Sequence, residues 1–231
     1  MAFPISNLLL EKLPSESRTR LLAQSEAVPL PVRTPIFGPG EVPRYVHLLT
    51  SGIASVVTPL SGGEVVEIAL VGREGFPEAL HLLGPSMAVT RCFMQVPGSG
   101  IRIDYQRFQQ EFYRDESIRR VVLRNVQFSA STLGQIAACN RLHNVEERLA
   151  RWLLMVADRV GEDRIRLTHE FLAEMIGSRR TTVTLVARTL QRGGLIEYRR
   201  GDIRILDREG LEDVACECYA ITRKLLVSLY K

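Results

Sequence analysis

The chain has 231 residues, 45% of them hydrophobic and 24% charged, with a formal net charge of +4. That apolar content builds one large or two modest cores and excludes a disordered polyelectrolyte. Twenty-seven of the thirty cationic residues are arginine, so the mild cationic excess says little about partners until its distribution along the chain is known.

The first residues, MAFPISNLLLEKLPSES, hold a short apolar run with no cationic leader and soon meet Glu11 and Lys12. The run fails as a signal peptide and is too short to span a bilayer, so the expected location is the cytoplasm, with no membrane partner. From about Val28 to Tyr105 short apolar stretches alternate with glycine and proline at Gly38, Pro39, Gly40, Gly52, Gly62, Gly63, Gly72, Gly75, Pro97, Gly98 and Gly100. A turn about every ten residues predicts an antiparallel β roll or barrel.

Beyond Tyr105 glycine and proline almost vanish until Gly161, and apolar residues fall at Ile118, Val122, Val126, Leu133 and Ile136. Steps of three to four residues describe a long helix with an apolar stripe. The stripe either lies against its own β domain or pairs with a second copy. Near-heptad spacing over some five turns favours the second copy, with Ile118, Val122, Val126 and Leu133 as the seam. A further helix, Val145 to about Val160, sets the sole tryptophan, Trp152, on a face with Leu149, Leu153 and Val156.

Thr168 precedes HEFLAEMIG as an N-cap, and Gly177 supplies the left-handed residue that ends such a helix. In the next helix, 178–193, Val183, Val186, Ala187 and Leu190 follow i, i+3, i+4, i+7 and face inward. Thr181, Thr184, Leu185, Arg188 and Arg192 therefore point outward, with Arg179 and Arg180 in the first turn. A helix, a glycine turn and a second helix make a helix-turn-helix, whose second helix enters the major groove of a DNA duplex. Cations at a helix N-terminus oppose the macrodipole, so local stability does not account for Arg179 and Arg180. Phosphate and guanine do, and the hydroxyls of Thr181, Thr182 and Thr184 can bond phosphates or bases.

GGLIEYRRGDIRIL turns at Gly201-Asp202 between alternating residues and predicts a hairpin, the wing of a winged helix, with Arg199 and Arg200 at its tip. From Gly177 to Leu206 seven arginines stand against Glu197 and Asp202, a local +5, while the rest of the chain nets about zero. That is the footprint of a polyanion-binding surface; the competing reading is a winged domain that contacts protein.

The order of these parts, with CNRLHNVEERLARWLL, FLAEMIGSRRTTVTLVARTLQRGGLI and GDIRILD, resembles the Crp/Fnr family of bacterial transcription regulators over nearly the whole length. The resemblance implies an α+β fold: an N-terminal antiparallel β-roll sensor domain of the cupin-like jelly-roll type over 1–110, a long dimerisation helix and hinge over 111–140, and a winged helix-turn-helix DNA-binding domain with a C-terminal helix over 141–231. It implies a homodimer on double-stranded DNA at a roughly palindromic site, with RNA polymerase as a further partner. In cyclic-AMP-responsive members an arginine, a glutamate and a second arginine read the bases; here the places hold Arg180, Thr181 and Leu185.

The same resemblance puts an effector pocket at Glu78, Ala79, Ala88, Val89 and Arg91. The Arg-Ser pair that neutralises a cyclic phosphate in the family falls on Ala88 and Val89. A buried phosphate would lack its charge partner, so an effector other than cyclic AMP, or none, is expected, and the residues identify no cofactor. The first cysteine is Cys92, which disfavours the iron-sulfur type with its N-terminal cluster, and a lone His81 is a weak candidate for a haem ligand. Cys216 and Cys218, two apart on a supposed C-terminal helix, point to different sides and are read as packing, with no metal site. No GxSxG, HExxH, phosphate loop or dinucleotide fingerprint is present, and no catalytic residues are assigned.

Overall fold

The glycines of the first hundred residues do two different jobs in the computed structural model, which describes residues 7–84, 89–199 and 201–231, His169 by its backbone alone. Two compact units result. One takes the chain up to Val56, Ala69–Ser131 and Leu226–Lys231; the other takes Val57–Ile68 and Thr132–Leu225.

The chain starts with α1 (Leu8–Glu11), α2 (Ser15–Ala23), β1 (Ser25–Leu30), β2 (Pro35–Phe37), β3 (Tyr45–Pro59) and β4 (Val65–Val71). A 3₁₀ turn (Ala79–Leu83) leads to β5 (Arg91–Asp104), α3 (Tyr105–Arg114) and α4 (Glu116–Leu142). The sheet runs β1-β5-β3-β4 with β2 also on β5, and β1 lies antiparallel to β5, Ser25 opposite Ile103 and Leu30 opposite Gly98. The expected antiparallel sheet is present, built from fewer and longer strands than the turn signals predicted. Gly52 and Gly98 lie inside β3 and β5. A Cβ on Gly52 would stand 2.7 Å from the Val96 carbonyl oxygen, and one on Gly98 would overlap the Ser51 carbonyl. These glycines permit close approach of two backbones instead of turning the chain.

The helical run after Tyr105 breaks at Asp115, whose Oδ1 accepts from the Ser117 and Ile118 N–H groups at 2.8 and 3.2 Å. The side chain gives α4 an N-terminal cap and so starts a second helix where one continuous helix was expected. Asp115 Oδ2 also accepts from Ser17 Oγ at 2.6 Å and pairs with Arg20.

The apolar stripe of α4 has a different partner from the one its spacing suggested. Ile118 and Val122 are fully buried and Val126 nearly so, in a core shared with Leu9, Leu48, Phe76 and Phe108. These three belong to the interior of their own unit and are not a seam for a second copy; Leu133 is half-buried. The outer face of α4 instead carries Leu123, Gln127, Ala130 and Gly134, all exposed and three to four residues apart.

The second unit is built on α5 (Val145–Val160), which begins with a capping box between Asn144 and Glu147 and ends on left-handed Gly161. Every residue from Arg148 to Ala157 is buried, Leu149, Trp152, Leu153 and Val156 among them as expected. Around it stand β6 (Arg164–Arg166), α6 (His169–Ile176), α7 (Arg180–Arg192), β7 (Ile196–Arg199), β8 (Asp202–Ile205), α8 (Arg208–Val214) and α9 (Cys218–Ser228). The wing is a three-stranded sheet, β6-β8-β7. Among the described residues no helix is long and apolar enough to cross a membrane.

Candidate nucleic-acid interface

Local chemistry sets the angle between α6 and α7. Thr168 Oγ1 accepts from the Phe171 N–H at 3.2 Å and opens α6. Gly177, at φ +61°, closes it, and the Ser178 N–H returns to the Ala173 carbonyl at 2.9 Å. Only glycine takes that backbone without strain, and a Cβ there would meet Val66 Cγ2 at 2.8 Å. Inside, Arg148 Nη1 donates to the Ile176 carbonyl at 3.0 Å and fixes the C-terminal end of α6.

The inward face of α7 buries Val183, Ala187 and Leu190, with Val186 half-buried. Its outward face presents Arg179, Arg180, Thr181, Leu185, Arg188 and Arg192, all exposed, and Leu185 keeps 61% of its surface open. Thr182 and Thr184 are half-buried, and the Thr184 hydroxyl donates to the Arg180 carbonyl at 2.8 Å. No side chain caps the start of α7. Its first-turn N–H groups therefore stand beside two arginines, an arrangement that attracts anions.

In the wing, β7 pairs with β8 from Ile196 opposite Ile205 to Arg199 opposite Asp202, with Gly201 at φ +80° at the tip. Arg199 is exposed and reaches Glu197 at 2.9 Å. Arg200 and Ala88 lie outside the described residues. The wing is locked to α7 where the Tyr198 N–H donates to Gln191 Oε1 at 2.8 Å. Strand β6 adds Arg164 and Arg166, which the sequence reading missed. Arg164 Nε donates to both Asp202 oxygens at 3.0 and 2.8 Å and holds that carboxyl below its ordinary range. The alternation Arg164, Ile165, Arg166, Leu167 was the available signal, but three residues are too few for periodicity to register.

The nominated effector residues do not share one environment. Glu78 and Ala79 are buried, whereas Val89 and Arg91 are exposed. The Glu78 carboxylate faces His47: Oε2 accepts from the backbone N–H at 3.1 Å and Oε1 meets ring Nδ1 at 2.7 Å. The Arg91 guanidinium lies 5.5 Å from the centre of the Phe93 ring. His81 sits edge-on to Phe37, and burial lowers its pKa.

The cysteines depart furthest from expectation. Cys216 does not lie on a helix with Cys218: α8 ends at Val214, Ala215 after it is extended, and Cys218 is the first residue of α9. The rule that i and i+2 diverge on a helix does not apply there. Both are buried against Cys139.

A helix, a glycine turn, an exposed arginine-bearing helix and a three-stranded wing define a winged helix-turn-helix module, preceded in the chain by an antiparallel β unit and a long helix. Residues 147–214 match the model of the Crp-like helix-turn-helix domain, and the chain has the fold of solved Crp/Fnr-type proteins. The global regulator CLP of Xanthomonas campestris, described as responsive to cyclic di-GMP, is similar at 20% identity and a TM-score of 0.69, over 83% of this chain and 99% of that one. FixK2 from Bradyrhizobium japonicum is similar at 15% identity and a TM-score of 0.71, over 83% and 98%. TTHB099, a regulator of the CRP family from Thermus thermophilus, is similar at 22% identity and a TM-score of 0.68, over 81% and 96%. No curated protein matches the chain in sequence.

Proposed function

We propose that the protein is a cytoplasmic, homodimeric transcription regulator that reads a roughly palindromic promoter site through α7 and acts with RNA polymerase. The exposed, uncapped start of α7, with Arg179 and Arg180 projecting from a buried Val183, Ala187 and Leu190 anchor, carries this reading. Arg180, Thr181 and Leu185 are the base readers. A guanidinium grips guanine O6 and N7 through two parallel hydrogen bonds, and a leucine or threonine methyl touches thymine. Arg179, Arg188, Arg199 and Arg200 bind phosphates, with Thr182. Thr184, whose donor is committed within its own helix, is limited to accepting or to methyl contact.

Pairing uses the outer face of α4, Leu123, Gln127, Ala130 and Gly134, where small residues let two helices approach closely. The effector is a small molecule other than cyclic AMP, because the one acidic group suited to a ribose hydroxyl, Glu78, is already held by His47.

The test is fluorescence anisotropy on DNA from the promoter upstream of its own coding sequence, with random duplex as control. Arg180→Ala is expected to cost about 1–3 kcal/mol on the specific site and to relax discrimination at one base pair. The log-log salt slope of binding should be about −0.9 per phosphate neutralised. A slope near zero would favour the rival reading, a ligand-binding dimer whose winged domain contacts protein. No preference for any promoter would refute the regulator reading.

A further inference from the structure

Four side chains from two segments remote in sequence converge in the second unit. Cys139 lies in the last turn of α4 and His143 just beyond its end. Spacing of four residues puts both on one side of the chain. Cys216 comes from the extended link after α8, and Cys218 from the first residue of α9. Their donor atoms, three Sγ and one imidazole nitrogen, all lie within 4.8 Å of one another.

We infer that Cys139, His143, Cys216 and Cys218 form a closed Cys3His site for one tetrahedral, thiophilic divalent ion of the zinc class. The spacing is the first argument. Zn–S bonds of about 2.3 Å and Zn–N bonds of about 2.0–2.1 Å give a Cys3His tetrahedron with edges of roughly 3.5–3.8 Å. Cys139 Sγ and Cys216 Sγ are 3.5 Å apart, and Cys218 Sγ is 3.6 Å from His143 Nδ1. A four-iron cluster is itself several ångströms across and would hold its thiolates further from one another.

The surroundings are the second argument. With Nδ1 turned toward the sulfurs, His143 directs Nε2 at Glu217 Oε2, 3.1 Å away. A ligating histidine is normally oriented by such a carboxylate on its far nitrogen. Gln135 Nε2 donates to Cys218 Sγ at 3.1 Å, as an outer-shell amide does to a bound thiolate.

Charge is the third. Arg148 and Arg151 on α5 are buried to 8% and 4% exposure, and the Nε of each has no hydrogen-bond partner among the described residues. Arg148 Nη1 donates to Oδ1 of Asn140, the residue after Cys139, at 3.4 Å. Buried guanidinium groups require an anion nearby. Three thiolates around a divalent ion carry a net −1 and supply it, whereas three neutral thiols do not. Simple packing accounts for buried cysteines, but not for the histidine, its carboxylate and the glutamine amide placed beside them.

All four positions are protein ligands, and the three sulfurs are buried. The site is therefore structural, with no coordination position open to substrate. The ion ties the end of α4 to the link between α8 and α9, so the C-terminal helices are held by it. This inference stands independently of the DNA-binding reading.

The experiment uses the full chain, purified under reducing conditions and loaded with zinc. Elemental analysis is expected to find one zinc per chain that survives desalting. It should fall below about a tenth in Cys139→Ser and Cys218→Ser and be unchanged in Cys92→Ser, which removes the one cysteine outside the cluster. Because those variants can fail to fold, the wild-type chain is also loaded with cobalt(II), which should show the intense visible bands of a tetrahedral thiolate site. Any of three outcomes overturns the proposal: no stoichiometric metal, with thiol reactivity indifferent to chelator; iron with acid-labile sulfide; or a Cys139–Cys216 disulfide in protein alkylated at lysis.

Discussion

Val122 separates the two partners that an apolar stripe can have. It is fully buried in the core of the first unit, among Ile118, Phe76 and Phe108. Val122→Ala removes the equivalent of two methylenes, about 1.6 kcal/mol of transfer free energy at roughly 0.8 kcal/mol each. The cavity left in a close-packed interior adds about 0.5–1 kcal/mol, for a total near 2–2.5 kcal/mol. At roughly 2–4 °C per kcal/mol for a chain of this size, Tm should fall by about 4–10 °C. Leu123, next in sequence, is 43% exposed on the opposite face. Leu123→Ala should leave Tm nearly unchanged and weaken self-association. Calorimetry and light scattering on both variants decide the matter. If Val122→Ala halved the molar mass at an unchanged Tm, the assignment of this stripe to the intrachain core would be wrong.

Other outcomes follow from polar contacts. The Asp115 carboxyl is held below its ordinary value of 3.8, first by the Ser17 hydroxyl and then by the Ile118 and Ser117 N–H groups and Arg20, against the opposing effect of burial. Its folded pKa is depressed, so its contribution is complete well above the ordinary value of 3.8 and is lost as pH falls through the lower folded value. Asp115→Asn should therefore destabilise the chain at neutral pH and flatten the acid limb of Tm against pH; an unchanged limb would contradict the account. The indole N–H of Trp152 donates to the buried Glu67 carboxylate at 2.7 Å. Glu67→Ala leaves that donor unsatisfied and should cost about 1–3 kcal/mol, while Glu67→Gln retains an acceptor and should cost less. The fluorescence of the single tryptophan, followed through a urea titration, reads both, and equal midpoints for the two variants would show that the hydrogen bond contributes little.

Signals that act within a few residues were legible in the sequence. Thr168 as a cap, Gly177 as a left-handed terminator, α5 with its capping box and the Gly201 turn all depend on backbone geometry and neighbours along the chain. The inward and outward faces of α7 follow equally from a period of 3.6 residues and one glycine. The arginine excess between Gly177 and Leu206 needed only counting.

What the chain order left open was the identity of partners distant in sequence. Periodicity in α4 showed that one face is apolar, but an apolar face is equally satisfied by its own sheet or by a second copy, and only the packing of Ile118 and Val122 on Phe76 and Phe108 decided between them. Gly52 and Gly98 look like turn residues because glycine is permissive for turns and for close backbone approach alike; which applies depends on the strand alongside. The cysteines show the limit most clearly. Cys139 and Cys216 are 77 residues apart, and Cys216 leaves its expected helix through the extended residue Ala215. A site assembled from the ends of three elements has no sequence period, so it exists only once those ends are brought together.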